Sequence, residues 1–564
     1  MEMSGASALV EALRREKTPV VFGLPGGAIM PVYDVFYKMR DLPSELRIRH
    51  ILTRHEQTAA HMADGYARAS GRVGVCMSTS GPGATNLVTG IATAFMDSSP
   101  IVAITGQVPR PSIGKDAFQE TDIVGVVTSV TKYAFQPRKA AEIPPVMRAA
   151  FRIASSRRPG PVVVDVPRDV QQETDLMDFT DHAIPKRFGP LPDSDPEGIL
   201  RMVDGLANAK TPLILAGGGV RISEATPELV ALAELLMCPV ATSLMGKGCI
   251  PEDHPLSIGV MGMHGSSETN QIVSKADVLL IVGSRLSDRT TGNVGKFCSN
   301  SRILHIDADK AEIGKNKQPT ISLASDAKKS LRAIYSGLLS RVAPKGESHW
   351  FHRVKNDIDV AQLEKDGPYL SAVRVVKLLR KLLPRNTIVT TEVGQNQMWC
   401  ALHFQAYGPR QFITSGGLGT MGFGFPAAIG AKVARPDVPV VDIAGDGSFA
   451  MTENALATSV EEGIPVTVVV LNNRMLGMVA QWHRIFYERR YCGVELGKSP
   501  CFPKLAEAYG AIGVGVGDYK ELNSAVRTAL TARVTTVVDV PISPEEDAKP
   551  MLSPGAGLEE AAIA

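Results

Sequence analysis

Short apolar runs rich in β-branched residues alternate with longer helix-like stretches along most of the chain. Strands of a parallel sheet are buried on both faces and read as continuous apolar runs, and each parallel connection needs a crossover, usually a helix. We therefore predict an α/β fold of mostly parallel sheets flanked by helices. The runs that carry this prediction are residues 73–77, 101–105, 162–166, 213–216, 278–282, 388–391, 440–443, 466–471 and 537–540.

A chain of 564 residues is too long for a single hydrophobic core, so several domains are expected. The strand runs fall into three groups, separated by two polar, proline-containing stretches at residues 171–197 and 343–368. We predict three α/β domains over residues 1–175, 190–345 and 365–564, each of a size common for single domains. The first and third look alike in layout, although no sequence repeat proves it.

Charge and composition exclude several classes of function. With 60 basic and 58 acidic residues, the net charge of +2 offers no field that would attract nucleic acid or an anionic membrane surface. The seven cysteines are scattered and form no CxxC pair, which argues against a disulfide framework or a zinc site. No apolar run reaches the roughly 18 residues of a membrane helix, and residues 4–15 look helical rather than like a targeting segment. We expect a cytoplasmic protein.

Residues 438–473 are the most informative segment. One apolar run leads directly into GDGS at residues 445–448, and the next ends at NN, residues 472–473. Glycines beside an aspartate at the end of a strand let the backbone turn tightly, and the helix that follows presents its amides to an anion. Magnesium prefers oxygen ligands and shares its coordination with phosphates. The pattern predicts a magnesium-bound diphosphate held through Asp446 and Asn473, although an isolated GDG could be a simple turn.

The sequence GLGTMG at residues 417–422 fits the dinucleotide-binding pattern GxGxxG, and Asp442 follows about twenty residues later. Taken alone, this pattern is a weak signal. Asp442 and Asp446 lie on one predicted strand, and a nicotinamide cofactor would leave the GDG and NN residues unexplained. We therefore favour the diphosphate and magnesium interpretation.

These residues match the diphosphate-binding motif of thiamine-diphosphate enzymes, which begins with GDG and ends with NN after one helix and one strand. The resemblance implies that Asp446 and Asn473 bind magnesium, together with the backbone oxygen of Met475. It also assigns Glu56, within RHEQ at residues 54–57, to the carboxyl group that activates the cofactor's pyrimidine ring. Without the motif, Glu56 would be interpreted as a solvated or helix-capping residue.

Nearly the whole chain resembles the catalytic subunits of acetohydroxyacid synthases, also called acetolactate synthases. The implied fold has pyrimidine and diphosphate domains around a central FAD-binding domain. The implied reaction decarboxylates pyruvate and transfers the hydroxyethyl unit to a second pyruvate or to 2-oxobutanoate, the first common step of valine, leucine and isoleucine synthesis. The matching blocks are GLPGGA (23–28), STSGPGATN (78–86), ITGQVPR (104–110), DAFQETD (116–122), RPGPVVVDVPRDV (158–170), GLGTMGFGFPAAIGA (417–431), GMVAQWH (477–483) and SPEEDAKPMLSPGAGLEE (543–560).

The resemblance implies three sets of site residues. Those near the substrates or the reacting atoms are Gly27, Glu56, Phe118, Gln119, Met421, Met478 and Trp482. Those that contact thiamine diphosphate are Glu56, Pro82, Asn86, Gly419, Met421, Gly445, Asp446, Gly447, Ser448, Asn473, Met475, Gly477 and Met478. Those that contact FAD, bound without net redox chemistry, are Arg158, Gly217, Gly218, Gly219, Met263, His264, Gly283, Ser284, Arg285, Asp288, Arg289, Asp307 and Asp326.

Within these sets, Met421 is the apolar prop that folds the cofactor, and the Gly419 carbonyl accepts from its amino group. Trp482 shapes the pocket for the second 2-oxo acid. One departure from the family is Arg168, which stands where lysine is common; the two cations differ in shape and hydrogen-bond geometry.

Two alternatives remain open at this stage. An FAD-coupled thiamine-dependent pyruvate oxidase shares the cofactors and the fold, but the DAFQETD and GMVAQW blocks favour the synthase. A catalytically inactive scaffold is the second, and the intact Glu56, Asp446 and Asn473 argue against it. The family also implies a homodimer or homotetramer with active sites between subunits, and a separate regulatory small subunit.

Overall fold

The computed structural model describes residues 1–43, 46–180, 184–342, 350, 368–553 and 555–560. It contains three six-stranded parallel sheets flanked by helices, which confirms the predicted fold class. Each of the nine apolar runs forms a strand. The predicted domain limits stay predictions; the limits at 345 and 365, and nearly all of the predicted stretch 343–368, lie outside the described residues.

The first sheet belongs to the N-terminal third of the chain. Its elements, together with a small antiparallel pair formed by the first and last strands, are β1 (Glu2–Ser4), α1 (Gly5–Arg15), β2 (Val20–Gly23), α2 (Met30–Lys38), β3 (Arg49–Leu52), α3 (Glu56–Ser70), β4 (Gly74–Ser78), α4 (Pro82–Asn86), α5 (Val88–Met96), β5 (Ile101–Gln107), α6 (Ile123–Val127), β6 (Tyr133–Phe135), α7 (Ile143–Ser155), β7 (Val162–Pro167), α8 (Arg168–Gln172) and β8 (Thr174–Leu176). The strand order is β3-β2-β4-β5-β7-β6.

The second sheet forms the centre of the middle domain. Its elements are α9 (Pro196–Ala207), β9 (Pro212–Ala216), α10 (Gly218–Ile222), α11 (Thr226–Leu236), β10 (Val240–Thr242), β11 (Ser257–Val260), α12 (Ser267–Ser274), β12 (Val278–Val282), α13 (Asp288–Thr291), β13 (Arg302–Asp307), β14 (Ile321–Ala324) and α14 (Ala327–Leu339). The strand order is β11-β10-β9-β12-β13-β14.

The third sheet lies in the C-terminal domain. Its elements are α15 (Ala372–Leu382), β15 (Ile388–Thr391), α16 (Gln395–His403), β16 (Phe412–Thr414), α17 (Gly424–Ala434), β17 (Val440–Gly445), α18 (Asp446–Phe449), α19 (Ala455–Glu461), β18 (Thr467–Asn472), α20 (Gly477–Phe486), α21 (Phe502–Ala508), β19 (Ile512–Gly515), α22 (Tyr519–Ala529) and β20 (Thr536–Pro541). The strand order is β16-β15-β17-β18-β20-β19.

The first and third domains share one topology. When the strands of each sheet are numbered in chain order, both sheets read 2-1-3-4-6-5, whereas the middle sheet reads 3-2-1-4-5-6. The likeness in layout is therefore real at the level of strand order. The middle order is the doubly wound one, whose ligands bind where the order reverses, outside the carboxyl ends of strands β9 and β12.

Helix α3 is specified at both ends by its own residues. His55 caps it, because its Nδ1 accepts from the Gln57 amide at 3.1 Å. The helix ends at Gly71, whose φ of +77° suits glycine. Between these ends, nearly every residue is buried, so α3 is enclosed within the molecule rather than lying on its surface.

Helices α3 and α17 join the first domain to the third across a shared apolar core. A Cβ on Gly65 would lie 2.1 Å from the Ala427 carbonyl oxygen, and one on Gly430 would lie 1.9 Å from that of Met62. Met62 of α3 contacts Gly430 of α17, and Gly65, which is later in α3, contacts Ala427, which is earlier in α17. The two helices therefore run antiparallel. Their backbones touch because these positions lack side chains. Within the described residues, no helix has the length and apolar character to cross a membrane.

Candidate active site

Glu56 is the first residue of α3, and its side chain is almost fully buried. Its Oε2 accepts a hydrogen bond from the Asn86 Nδ2 at 3.0 Å. A Cβ on Gly83 would come within 3.3 Å of its Oε1, so the turn that begins α4 lies directly against the carboxylate. The structure therefore brings the predicted residues Glu56 and Asn86 together, with Pro82 exposed beside them.

Two further predicted residues lie near this turn. The backbone and Cβ of Gln119 lie 2.9 Å from the Cβ that Gly81 would carry, and Gln119 itself has a φ of +61°. The amide of Ala28, next to Gly27, donates to the Thr79 hydroxyl at 3.2 Å. Gly27 faces open space, since no atom of the described residues lies within 4 Å of the position that a Cβ would take there. These residues form the first-domain half of the candidate site.

Asp446 and Asn473 lie at the same edge of the third sheet. Strands β17 and β18 are parallel neighbours, and Gly445 is aligned with Leu471, so the residues that follow each strand emerge side by side. Asp446 starts α18, and both side chains are buried. The Asn473 Oδ1 accepts from the Met475 amide at 3.1 Å, which folds the predicted backbone ligand back toward the same edge. The structure thus brings the three predicted metal ligands together.

The donor set fits magnesium. It offers a carboxylate, an amide oxygen and a backbone carbonyl, which are hard oxygen ligands. Burial raises the pKa of Asp446 to about 6, so a nearby cation would offset the cost of its buried charge. A Cβ on Gly447 would lie 2.9 Å from Leu476 and 3.0 Å from Leu496, which leaves a narrow cradle at the start of α18. A diphosphate bound there would complete the coordination.

Glu392 is a buried carboxylate that the sequence interpretation missed. It links the loop that carries Asp446 to the segment directly after Met421. The Ser448 hydroxyl donates to Glu392 Oε2 at 2.6 Å and accepts from the Gly422 amide at 3.0 Å. Glu392 Oε1 accepts from the Phe425 amide at 2.9 Å. Burial raises the pKa of Glu392. Glu392 follows β15 as Asp446 follows β17, and that position was the signal that could have revealed it.

A second missed network supports the predicted metal ligand Asn473. Its Nδ2 donates to Gln395 Oε1 at 3.3 Å, and Gln395 donates to Gln481 Oε1 at 2.8 Å. Gln481 also accepts from the Ala548 amide at 2.8 Å. Gln481 belongs to the GMVAQW block, so the resemblance had pointed to its neighbourhood without assigning it a role.

Asp442, the acidic residue of the alternative dinucleotide pattern, is part of the core. It is fully buried on β17 and accepts from the Thr390 hydroxyl at 2.9 Å. A Cβ on Gly424 would lie 2.4 Å from its Oδ1, so the start of α17 covers it. It therefore has no room to contact a ribose, and the geometry argues against the dinucleotide interpretation.

The remaining predicted substrate residues are open to solvent in a single chain. Met478 and Trp482 lie one turn apart on α20, and Trp482 is 38% exposed. Phe118 is 89% exposed. Gly419 is exposed with a φ of +71°, and Met421 is half-buried with its methyl 3.9 Å from the Cβ position of Gly447. Two large aromatic side chains of the predicted site are therefore exposed in a single chain.

The two halves of the site lie at opposite ends of α17. The Asp446 loop is tied to the start of this helix, because the Gly422 amide donates to Ser448. Glu56 begins α3, which runs antiparallel to α17, so its end of α3 lies toward the end of α17. An 11-residue helix is about 16 Å long. One chain therefore holds its own Glu56 away from its own Asp446.

The predicted flavin residues surround the switch point of the middle sheet. Gly217 follows β9 and Gly283 follows β12, and a Cβ on Gly217 would lie 2.1 Å from the Gly283 carbonyl oxygen. Gly219 packs on the same residue, with a Cβ position 2.6 Å from the Gly283 Cα. Glycines at the reversal of strand order let two backbones meet and leave their amides near a ligand. This arrangement fits a dinucleotide.

Side chains around that point also fit a flavin dinucleotide. Arg158 and Arg285 are half-buried cations that can pair with phosphate. The buried Nδ1 of His264 has no partner among the described residues, and burial lowers the pKa of this histidine to about 4. Burial raises the pKa of Asp307 to about 6. The other predicted side chains have their own contacts: Asp326 caps α14, Arg289 contacts Met263 and Asp288, and Ser284 is buried.

Arg168 starts α8 and is exposed at the surface of the first domain.

Comparisons with known proteins place the chain among thiamine pyrophosphate enzymes. It matches the models of the N-terminal TPP binding domain at residues 3–126, the central domain at 199–334 and the C-terminal TPP binding domain at 392–540. It is 47% identical to a probable acetolactate synthase large subunit of Methanocaldococcus jannaschii, covering 99% of this chain and 94% of that one. It is 45% identical to the acetolactate synthase large subunit of Parasynechococcus marenigrum (98% and 90%) and 41% identical to the acetolactate synthase isozyme 2 large subunit of Escherichia coli (99% and 99%).

Proposed function

The chain belongs to the acetolactate synthase large subunits within the thiamine pyrophosphate enzyme family, and on this premise we propose that it makes 2-acetolactate from two molecules of pyruvate. With 2-oxobutanoate as the acceptor, the product would be 2-aceto-2-hydroxybutanoate. The observation that supports this most strongly is the meeting of Asp446 and Asn473 at one sheet edge in a chain that also buries Glu56 at a helix start. The matches run over nearly the full length and favour the synthase over a pyruvate oxidase.

Thiamine diphosphate, when bound, supplies a nucleophilic carbon and an electron sink for decarboxylation of the 2-oxo acid. The chain binds and orients it. Asp446, Asn473 and the Met475 carbonyl would hold the diphosphate through magnesium, and Met421 would support the ring system. Glu56 holds a proton at the pyrimidine ring nitrogen, and Asn86 fixes the direction of its carboxyl group.

We propose that two copies of the chain complete each active site. Glu56 and Asp446 of one chain lie at opposite ends of α17, so a cofactor that contacts both must lie between subunits. The exposed Phe118 and Trp482 suit such a shared surface, since aromatic side chains are enriched at interfaces. A homodimer or homotetramer follows from this arrangement. We also infer a cytoplasmic location.

FAD is proposed as the ligand of the middle domain, where the switch point and its glycines lie. The proposal assigns it no electron transfer, because the carboligation itself requires none. The relatives are named large subunits, and we propose that a separate small subunit regulates this chain as well.

A product assay tests the proposed function. The purified protein is incubated with pyruvate alone or with added 2-oxobutanoate, while magnesium, thiamine diphosphate and FAD are omitted in turn. We expect acetolactate that depends on each cofactor, without consumption of oxygen or a quinone in proportion to pyruvate. Stoichiometric acceptor reduction without acetolactate would instead identify a pyruvate oxidase.

A further inference from the structure

A buried carboxylate in the first domain holds a loop of the third. Asp97 follows α5 and is 5% exposed. Its Oδ1 accepts from the Gly417 amide at 2.7 Å, and its Oδ2 accepts from the Gly416 amide at 3.1 Å. These two glycines begin the loop at residues 416–421, which carries Gly419 and Met421. The start of a predicted cofactor loop is therefore fixed by a residue from another domain.

Arg68 completes this attachment. It donates to Asp97 Oδ2 at 3.1 Å, to Asp64 at 2.6 and 2.7 Å, and to the Thr414 carbonyl oxygen at 2.7 Å. The side chains of Arg68, Asp64 and Asp97 are at most 2% exposed. Bonds of this kind are strong, and removal of one partner leaves a buried charge uncompensated. The network therefore holds Asp97 in one orientation.

The far end of the loop is fixed from the same domain. The hydroxyls of Thr93 and Thr420 lie 2.7 Å apart, and the Thr420 amide donates to Ser415 Oγ at 3.0 Å. Thr93 lies one turn before Asp97 on α5. Both ends of the loop thus depend on the position of this helix.

Two cations of the predicted flavin site lie close to Asp97. Arg285 contacts Gly417, which Asp97 binds, and Arg158 contacts Ser98, the next residue along the chain. A Cβ on Gly417 would lie 3.0 Å from Arg285 Nη2 and 2.7 Å from Asp97 Oδ1, so the guanidinium and the carboxylate contact one glycine. The neighbouring Ser98 Oγ accepts from Arg158 Nε at 2.8 Å. An anion that draws on Arg285 or Arg158 changes the field at Asp97 directly.

We propose that Asp97 is a positioning residue that couples the two cofactor sites. It holds the loop at residues 416–421 in the shape that thiamine diphosphate needs, and Arg285 and Arg158 make that hold depend on the flavin diphosphate. The inference rests on the proposed function, and it explains how a flavin can be required without any electron transfer. Because both ligands bias one element, each must tighten the binding of the other by the same factor.

The test measures this factor in the full-length protein. Thiamine diphosphate is titrated with magnesium, with and without saturating FAD, and binding is followed by tryptophan fluorescence. We expect FAD to tighten thiamine diphosphate by about fivefold or more in the wild type, in the usual range of coupling between sites. In Asp97→Asn, the ratio should fall to about one, while FAD alone binds as in the wild type. An unchanged ratio, or a wild-type ratio of one, overturns the proposal.

A matched control separates coupling from general loss of stability. Glu252 is another buried carboxylate that accepts from a cation, Lys247, and from an amide, that of Ala406, at a different contact with the third domain. Glu252→Gln should keep the wild-type ratio, and an equal loss there overturns the specific role of Asp97. If Asp97→Asn does not fold, Thr93→Val replaces it, with the same expected fall and the same contrary result.

The outcomes also separate this inference from the proposed function. A wild type that forms acetolactate but has a ratio of one refutes the coupling alone. A wild type with a ratio well above one that forms no acetolactate refutes the function and leaves the coupling standing.

Discussion

Gly65 packs directly on the carbonyl oxygen of Ala427, at a distance where a side chain of any size would collide. This contact sets how the first and third domains of one chain fit together. Because α3 and α17 run antiparallel through it, Glu56 at the start of α3 lies away from Met421, which precedes α17. The separation of Glu56 from Asp446 within one chain follows from this packing of two helices, and the proposed second subunit rests on it.

Gly65→Ala should therefore destabilise the protein strongly. Overpacking a dense contact costs about 1–3 kcal/mol, and here the obstacle is backbone, which cannot rotate away. Gly205→Ala is the matched control, since Gly205 is also a buried helical glycine but its Cβ would meet the ends of two side chains, Leu304 at 3.4 Å and Arg302 at 3.8 Å, rather than backbone. The control should be neutral or slightly stabilising, because alanine favours a helix by about 1 kcal/mol over glycine. Thermal unfolding measures both, and equal melting temperatures would refute the packing argument.

The strands were predictable from the sequence because they are buried on both faces. Residues 278–282 read as an unbroken apolar run and residues 388–391 as an unbroken β-branched run, and the structure gives them the same bounds. Short edge strands such as β6 and β16 lacked that signal. Strand order was not predictable, since it depends on how helices cross the sheets. The GDG and NN pattern predicted Asp446 and Asn473, and the structure shows that they lie at the same edge of the third sheet.

Long-range polar contacts escaped the sequence interpretation. Glu392, Gln395 and Asp97 act on loops that are far from them along the chain, and apart from the position of Glu392 directly after a predicted strand no local pattern marks them. Their identity as buried, fully bonded groups appears only when the domains are packed together. The separation of Glu56 from Asp446 within one chain likewise depends on a helix contact between domains.

Glu56→Gln should reduce turnover by about 10²–10⁴-fold, the usual contribution of a positioned acid or base. The amide keeps the shape of the carboxyl group but cannot exchange its proton with the pyrimidine ring. Thiamine diphosphate should still bind, because the magnesium ligands are unchanged, and circular dichroism of the bound cofactor checks this. Glu197→Gln, an exposed acid in the first turn of α9, is the control and should retain full activity. Near-normal turnover in Glu56→Gln would remove Glu56 from its role.

Mixing Glu56→Gln with Asp446→Asn should restore activity that neither variant has alone. If each site takes Glu56 from one subunit and Asp446 from the other, a mixed dimer has one intact site of two. Random exchange makes half of the dimers mixed, so about a quarter of wild-type activity is expected for a symmetric dimer. Activity is measured after the variants are dissociated and reassembled together. No recovery, with mixed dimers shown to be present, would contradict the shared site.

Asp165 predicts a pH dependence of stability. It is fully buried on β7 and accepts from Thr105, Gln107 and Gln136, and burial raises its pKa from 3.8 to about 6. Between these values the folded state binds the proton more tightly than the unfolded state, so stability falls as pH rises through this window. A shift of this size corresponds to about 3 kcal/mol.

Asp165→Asn has no ionisable group at this position, so its stability does not fall with pH for this reason. The melting temperature of the wild type, relative to that of Asp165→Asn, should therefore fall between about pH 4 and about pH 6 and then stay level. Asp41→Asn, at an exposed position, controls for the substitution itself and should show no such trend. A difference that stays flat or rises with pH would show that burial does not govern this carboxyl group.

Trp482→Leu should change which acceptor the enzyme prefers. Trp482 lies on α20, whose start follows the predicted metal ligand Asn473. The buried Gln481 of the same helix accepts from Gln395, so the indole is held in a fixed position relative to the predicted diphosphate site. A hydrophobic pocket can distinguish two substrates that differ by one methylene group, such as pyruvate and 2-oxobutanoate, by about 10–200-fold. Loss of the indole surface should lower the preference for 2-oxobutanoate over pyruvate by at least about tenfold, with turnover of pyruvate alone changed less than about threefold. The product ratio in a mixture of both acids measures this.

Phe486→Leu, one turn further along α20 and similarly exposed, is the control and should keep the wild-type ratio. Equal shifts in both variants would indicate a general effect on α20, and an unchanged ratio in Trp482→Leu would place the acceptor pocket elsewhere.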